Sequence, residues 1–332
     1  KKVDCVPVEF TGQTNQVNRI NQMVISIDTK RVEQPEPIAT SLAAIDQNGT
    51  QPSVVTMIHY ADPFSPWSRG FQPVLARLSS VYGEQLKIEY KMGGMARNVS
   101  QWFEAMELDE ESIAEWTKGV IARTKNPISN QFLVAPGVKT TWLASLAFVA
   151  ASKHHSKLAI ALLRRMTEAF QIELLPNNRE TIARLADEVG LNGDQIVRES
   201  FYESTISEFA WQRNAMERKN LRFDNLLIEV GEENRLIENP FSASEYEQAI
   251  DELAPGLIKS EPSNVLGYIN SLSGYFVSAK EISEVFDISF VESEQRLERL
   301  AESGVVTSVR VSGQTVWKSV SGESDADLLN VS

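Results

Sequence analysis

Two serines, Ser65 and Ser68, flank Pro66 and Trp67 at the point where an apolar run gives way to a helical pattern. At a helix start a serine hydroxyl accepts a hydrogen bond from a free backbone N–H, and proline suits the first helical position. A hydroxyl is far less acidic than a thiol and cannot form a disulfide, so this pair cannot do thiol–disulfide chemistry. The other reactive side chains are few. Cys5 is the only cysteine, which leaves no internal disulfide and no thiol metal site, and favours a reducing, cytoplasmic setting. Of the three histidines, His59 shares a strand face with Met57 and Ala61 and reads as a core or strand-end residue. His154 and His155, beside Lys153 and Lys157, read as a solvated helix face. The run Glu107-Leu108-Asp109-Glu110-Glu111 reads as a helix start rather than an acid/base pair.

The net charge of −13 argues against broad attraction to nucleic acid or to anionic membranes. No apolar run approaches the roughly 18–20 residues needed to cross a bilayer. The opening Lys1-Lys2-Val3-Asp4-Cys5 has no apolar stretch behind it and does not read as a signal peptide. The chain opens without Met, which leaves residues upstream, including a cleaved leader, an open matter.

The elements that must position the serines follow from periodicity. Residues 1–50 read as a partly extended N-terminal extension, with one alternating stretch, Met23-Val24-Ile25-Ser26-Ile27. Val54 to Tyr60 is β-branched and apolar, a buried strand. After Asp62-Pro63-Phe64 the apolar residues Phe71, Val74, Leu75 and Leu78 recur at helical spacing. Gly83 closes that helix, and Leu86-Lys87-Ile88-Glu89-Tyr90 alternates as a second strand, completing a βαβ unit. Residues 100–212 read almost wholly helical. Leu226–Val230 and Arg235–Ile237 then form a hairpin about Gly231-Glu232-Glu233-Asn234, followed by a helix over Ser244–Leu253. The predicted fold class is α/β: a thioredoxin core at 51–257, interrupted by a helical insertion at about 97–212. After a linker at Pro255-Gly256 and Glu261-Pro262, residues 262–320 give three short helices and a hairpin, a winged-helix-like α+β domain. Residues 321–332 read as a flexible acidic tail.

Asp62-Pro63-Phe64-Ser65-Pro66-Trp67-Ser68, with Phe71 and Pro73 after it and Tyr90-Lys91-Met92-Gly93-Gly94 further on, resembles the DsbA-like FrnE group. Members of that group carry Asp-Pro-x-Cys-x-Trp-Cys at the first helix and Met-Gly-Gly after the second strand. Leu185-Ala186-Asp187-Glu188-Val189-Gly190-Leu191 is similar to the family's helical insertion. The resemblance implies a thiol–disulfide oxidoreductase fold, but Ser65 and Ser68 stand at the two cysteine positions. The family's cis-proline, which precedes the third strand, corresponds to Asp224 in Arg222-Phe223-Asp224-Asn225. A cis bond before a non-proline costs about 2.5–4 kcal/mol, so a trans bond is expected at Phe223–Asp224.

These features imply a redox-inactive binding or adaptor module rather than an enzyme. It would engage a protein partner at an exposed groove formed by Ser65, Pro66, Trp67, Ser68, Phe223, Asp224 and Asn225, with no catalytic residue, metal or cofactor. Ser-Pro-aromatic-Ser is also similar to kappa-class glutathione transferases and their isomerase relatives, in which Ser65 would hold a glutathione thiolate. That alternative lacks the family's cis-proline, and Asn239-Pro240-Phe241-Ser242 does not supply its Ser-Asp pair. A winged-helix transcription regulator is the second alternative. Positions 262–320 hold five basic and seven acidic residues, and Glu292, Glu294, Glu298 and Glu302 surround Arg296 and Arg299 on the third helix. Such a surface opposes phosphate contacts, so nucleic acid is not the expected partner.

Overall fold

The structure is a computed structural model that describes residues 55–238 and 241–320. The expectations for 1–50, for Cys5, for Asn239-Pro240 and for the acidic tail fall outside those residues. The β-branched run is β1 (Val55–Ala61), which pairs in parallel with β2 (Leu86–Met92) and antiparallel with β3 (Asn225–Val230). β3 continues into β4 (Glu233–Glu238), giving the sheet order β2-β1-β3-β4. Val230 pairs with Glu233, so the hairpin turn is the two residues Gly231-Glu232, tighter than the four expected. A central strand is covered on both faces, and β1 is accordingly buried or half-buried along its length.

Between β1 and β2 runs α1 (Pro66–Tyr82), and a helix over Ala243–Leu253 follows β4, which completes the βαβ…ββα order. The insertion contains α2 (Val99–Ala105), α3 (Glu110–Thr124), α4 (Trp142–His154), α5 (Ser156–Gln171), α6 (Arg179–Glu188), α7 (Gly193–Glu199) and α8 (Glu203–Arg218). The apolar stripe of Ile182, Leu185 and Ala186 lies on α6, and Gly190 follows its end at φ +85°. The expectation of near-continuous helix fails between 125 and 141, where the chain is irregular.

With Ala243–Leu253 counted as α9, the C-terminal region comprises α10 (Val265–Ser271), β5 (Phe276–Ser278), α11 (Ala279–Phe286), α12 (Phe290–Glu302) and the hairpin β6 (Val306–Val311) and β7 (Gln314–Ser319). Ser278 caps α11, its Oγ accepting from the Glu281 N–H at 3.2 Å. Strand β5 was not legible in the sequence. It pairs with β7 in a three-stranded sheet of order β5-β7-β6.

This region is not a free appendage. It lies along α1 and α5, held by two arginines. Arg77 of α1 pairs with Glu247 at 2.8 Å and Glu261 at 2.6 Å, and donates to the Val285 carbonyl at 3.0 Å. Arg164 of α5 grips both oxygens of Glu281 at 3.0 and 3.1 Å and donates to the Phe276 carbonyl at 2.8 Å. Tyr268 adds a 2.6 Å hydrogen bond to Glu281. Beside this polar seam, Ile172 packs with Phe276, Val311 and Val316.

Breaking a buried ion pair from one side leaves the other charge without compensation. Arg164 faces Glu168 and Glu281, whose side chains are 1% and 3% exposed. Arg164→Leu is therefore expected to cost about 3–5 kcal/mol. Urea unfolding with limited proteolysis checks this, and residues beyond 262 should become the first cleaved.

Candidate functional site

The serine motif builds a closed local network. Ser65, with extended backbone, is the N-cap of α1, and its Oγ accepts from the Ser68 N–H at 3.3 Å. Ser68 Oγ in turn accepts from the Asp62 N–H at 3.2 Å, so the two serines relay the helix start back to the end of β1. Pro66 occupies the first turn. Asp62 itself has no solvent exposure and accepts four hydrogen bonds: from the Phe64 N–H and Met95 N–H, both at 2.7 Å, and from the hydroxyls of Thr141 at 3.0 Å and Ser145 at 3.2 Å. Burial pushes the Asp62 carboxyl up, against the pull of those bonds.

Pro73 explains what closes the motif from the side. Lacking an N–H, it cannot bond the carbonyl of Arg69 one turn back. Asn126, in the irregular 125–141 segment, takes that carbonyl instead through Nδ2 at 2.7 Å. Arg69 Nε returns a 2.9 Å bond to the Pro127 carbonyl. A Cβ on Gly70 would sit 2.4 Å from Thr124 Cγ2, so glycine lets α3 and the following segment come this close. The Ser129 N–H bonds the Gln171 carbonyl, and Gln171 Nε2 donates to the carbonyls of Pro63 at 2.8 Å and Ser65 at 3.1 Å. Residues 124–132 thus lie across the head of α1.

This corrects the expected exposed groove. Trp67 is only 3% exposed, stacks on Phe241 at 5.7 Å and lies under the Arg123 guanidinium at 5.1 Å. Ser65, Pro66 and Ser68 are buried with it, as are Phe223, Asp224 and Asn225. An anchor aromatic for a partner needs an open face, and here the protein's own side chains occupy it. The Ser65 hydroxyl is likewise enclosed, at 1% exposure, so a glutathione thiol from solvent does not reach it.

The Phe223–Asp224 bond is trans, all described peptide bonds being so. Asp224 pairs with Arg222 Nε at 2.9 Å. Asn225 Oδ1 accepts from the Arg222 N–H at 3.0 Å, which fixes the turn into β3. Phe223 packs under Gly93, where a Cβ would lie 2.4 Å from its ring. Gly94 has φ +64° and faces Phe209, which gives the Met-Gly-Gly sequence its physical reason. His59 is in the core as expected, edge-on to Phe71 at 5.4 Å, with both ring nitrogens lacking partners. Burial lowers its pKa to about 3. Among the described residues no cluster of His, Cys, Asp and Glu could hold a metal, and no helix is long and apolar enough to cross a membrane.

Sequence reasoning missed the structural roles of Asp62, Arg69, Asn126 and Gln171. Pro73 inside a helix was the available signal, since it announces a carbonyl that needs a donor from elsewhere.

Residues 59–215 match the family described as Thioredoxin. The ClpXP adapter protein SpxH of Bacillus subtilis (strain 168) is 23% identical over 278 residues, covering 80% of this chain and 89% of SpxH. SpxH of Bacillus licheniformis is 24% identical over 277 residues, with 80% and 89% covered. A candidate protein disulfide isomerase from Nitrosomonas europaea superposes with a TM-score of 0.51 at 17% identity, covering 60% of this chain and 96% of that one. The chain therefore has an α/β thioredoxin-like fold with a helical insertion and an additional C-terminal α+β region.

Two predictions follow from the burial of the motif. Trp67→Ala should destabilise the protein by about 3–5 kcal/mol, as for other core aromatics. A Ser65→Cys thiol, in a Cys5→Ser background, should label slowly in native buffer and rapidly in urea. Rapid native labelling would mean that the motif is open.

His59 supplies a third. Its folded pKa lies near 3 and the unfolded value near 6.5, so its contribution is complete above pH 6.5 and is lost as pH falls toward 3. Between pH 7 and pH 5 that loss is about 2 kcal/mol, and His59→Leu should lack it. Equal pH slopes in urea titrations of the two proteins would contradict this.

Proposed function

We propose that this chain is a cytoplasmic adaptor that binds a polypeptide and presents it to a ClpXP-type protease, with no thiol–disulfide step. The observation that carries this reading is the length of the similarity to ClpXP adapter proteins. It covers 80% of the chain and so extends well beyond residues 59–215, the part that matches the thioredoxin family. A shared thioredoxin core alone would bring in oxidoreductases of many kinds, whereas likeness over this span brings in adapters.

The chemistry agrees. The two motif positions that a dithiol needs are serines, and their hydroxyls accept hydrogen bonds inside the core. Ser65, Pro66, Trp67, Ser68, Phe223, Asp224 and Asn225 then act as scaffold beneath the binding surface. The winged-helix-like order at 262–320 supports intramolecular packing and protein contact over DNA binding. On α12, Arg296 bonds Glu292 at 2.6 Å, and Arg299 Nε donates to the Gln295 carbonyl at 3.1 Å, so both candidate phosphate contacts are engaged on their own helix.

The test is direct. Immobilised protein should capture purified ClpX in the presence of a slowly hydrolysed ATP analogue. Proteins that co-purify with the chain from its source cells should be degraded faster by ClpXP when it is added. Arg296→Ala with Arg299→Ala should leave both results intact, and duplex DNA should not bind at physiological salt. Failure to bind ClpX, together with unchanged degradation of every co-purified protein, would sink the adaptor reading.

A further inference from the structure

Beside the buried motif, between the flank of α1 and the facing side of α5, lies a cavity of about 150 Å³. Its inner end is formed by His59, Asp62 and Ser68, and its outer end by Ala76, Ser79 and Ile160. Ser65 is not among the lining residues, so the space runs along the helix rather than in front of its N-cap. Ser79 is exposed and Ile160 is 36% exposed, so the cavity opens to solvent at that end. Leu75, Ala76, Ile160 and Leu163 give it apolar sides.

The polar groups facing this space are unusually short of partners. Arg69 lines it and is 3% exposed, yet forms no ion pair among the described residues. A guanidinium has five N–H donors. Here Nε donates to the Pro127 carbonyl and Nη1 to Gln72 Oε1, which leaves three without an acceptor. Turning the Gln72 amide directs its oxygen to Arg164 instead and leaves Arg69 with four. Arg164, the other guanidinium on the lining, is matched by Glu281 and Glu168. Asp62 has both oxygens committed to the four bonds described above and offers Arg69 no hydrogen bond, while Glu168 and Glu281 act on Arg69 only through space. Ser68 Oγ accepts from the Asp62 N–H, and its own proton has no acceptor among the described residues. His59 lines the same end with neither nitrogen bonded.

A buried guanidinium with spare, forked donors matches a carboxylate, whose two oxygens it can hold in one plane. A cavity of this size accommodates a body about as large as benzene. We propose that this cavity is a binding site for a small monocarboxylate with an apolar body, its carboxylate held by Arg69 and Ser68 and its body between Leu75 and Leu163. The site does not depend on the adaptor reading, since it involves neither ClpX nor a client.

Calorimetry on the full chain, with ligand-observed NMR, tests it using benzoate and hexanoate as probes and benzamide as the neutral isostere. Both carboxylates should bind saturably at a single site, and benzamide at least about tenfold more weakly, as expected when a charge-assisted hydrogen bond is lost. Ala76→Leu fills the outer half of the cavity at a partly exposed position and should abolish binding while the circular dichroism spectrum is unchanged. Arg69→Met should do the same where it folds, and Ala76→Leu decides the matter where it does not. No saturable binding of either carboxylate at millimolar concentration overturns the proposal. So does benzamide binding as tightly as benzoate, or carboxylate binding that survives Ala76→Leu.

Discussion

A carboxylate with no water around it must find all its partners within the protein, and Asp62 is placed where that requirement organises everything nearby. One oxygen turns the chain after β1 by accepting from Phe64, and the other gathers Met95, Thr141 and Ser145. Strand end, helix start and helical insertion therefore meet at a single side chain. Each donor it holds would otherwise be a buried, unsatisfied group, at about 1–3 kcal/mol apiece. The serines complete this node, since Ser68 bonds the Asp62 N–H and Ser65 bonds the Ser68 N–H. In an oxidoreductase the head of this helix has to stay open to substrate thiols. Once thiols are absent that demand disappears, and the space can be filled with packing.

The filling came from afar, which is why only part of it was legible. The sheet and α1 could be read because their signals are local: β-branched runs, helical spacing and turn residues announce strands and helices within a few positions. Ser65 as an N-cap and Ser278 as the cap of α11 are local in the same sense. Trp67 was misplaced because nothing adjacent in sequence indicates burial. Its partners Phe241 and Arg123 lie in other elements, brought in by the tertiary fold. The 125–141 segment was absorbed into a helical block because its neighbours are helical on both sides. Its irregular path serves Arg69 and Gln171, residues remote from it in sequence. Strand β5, at three residues, was too short to produce a period.

Arginines play a similar part at the other side of α1. Arg77 binds the linker carboxylate of Glu261 and the Val285 carbonyl, and Arg164 binds the Glu281 carboxylate and the Phe276 carbonyl, so the charges that join the two parts are matched pair by pair. The seam is therefore specific in register, because a shifted docking would leave buried charges unmatched. Ile172, Phe276, Val311 and Val316 provide apolar burial next to it, but the arginines determine the alignment.

The position of β7 has a mechanical consequence. It is the last strand of the described chain and yet the middle one of its sheet, bonded to β5 on one side and β6 on the other. Tension applied from the side of residue 321 loads this strand before any other. The strand cannot peel from an edge; both ladders must rupture together, and Val316 and Trp317 must leave the core in the same event. Residues 262–320 would thus resist a pull from that direction as one unit, and yield, once β7 moves, all at once.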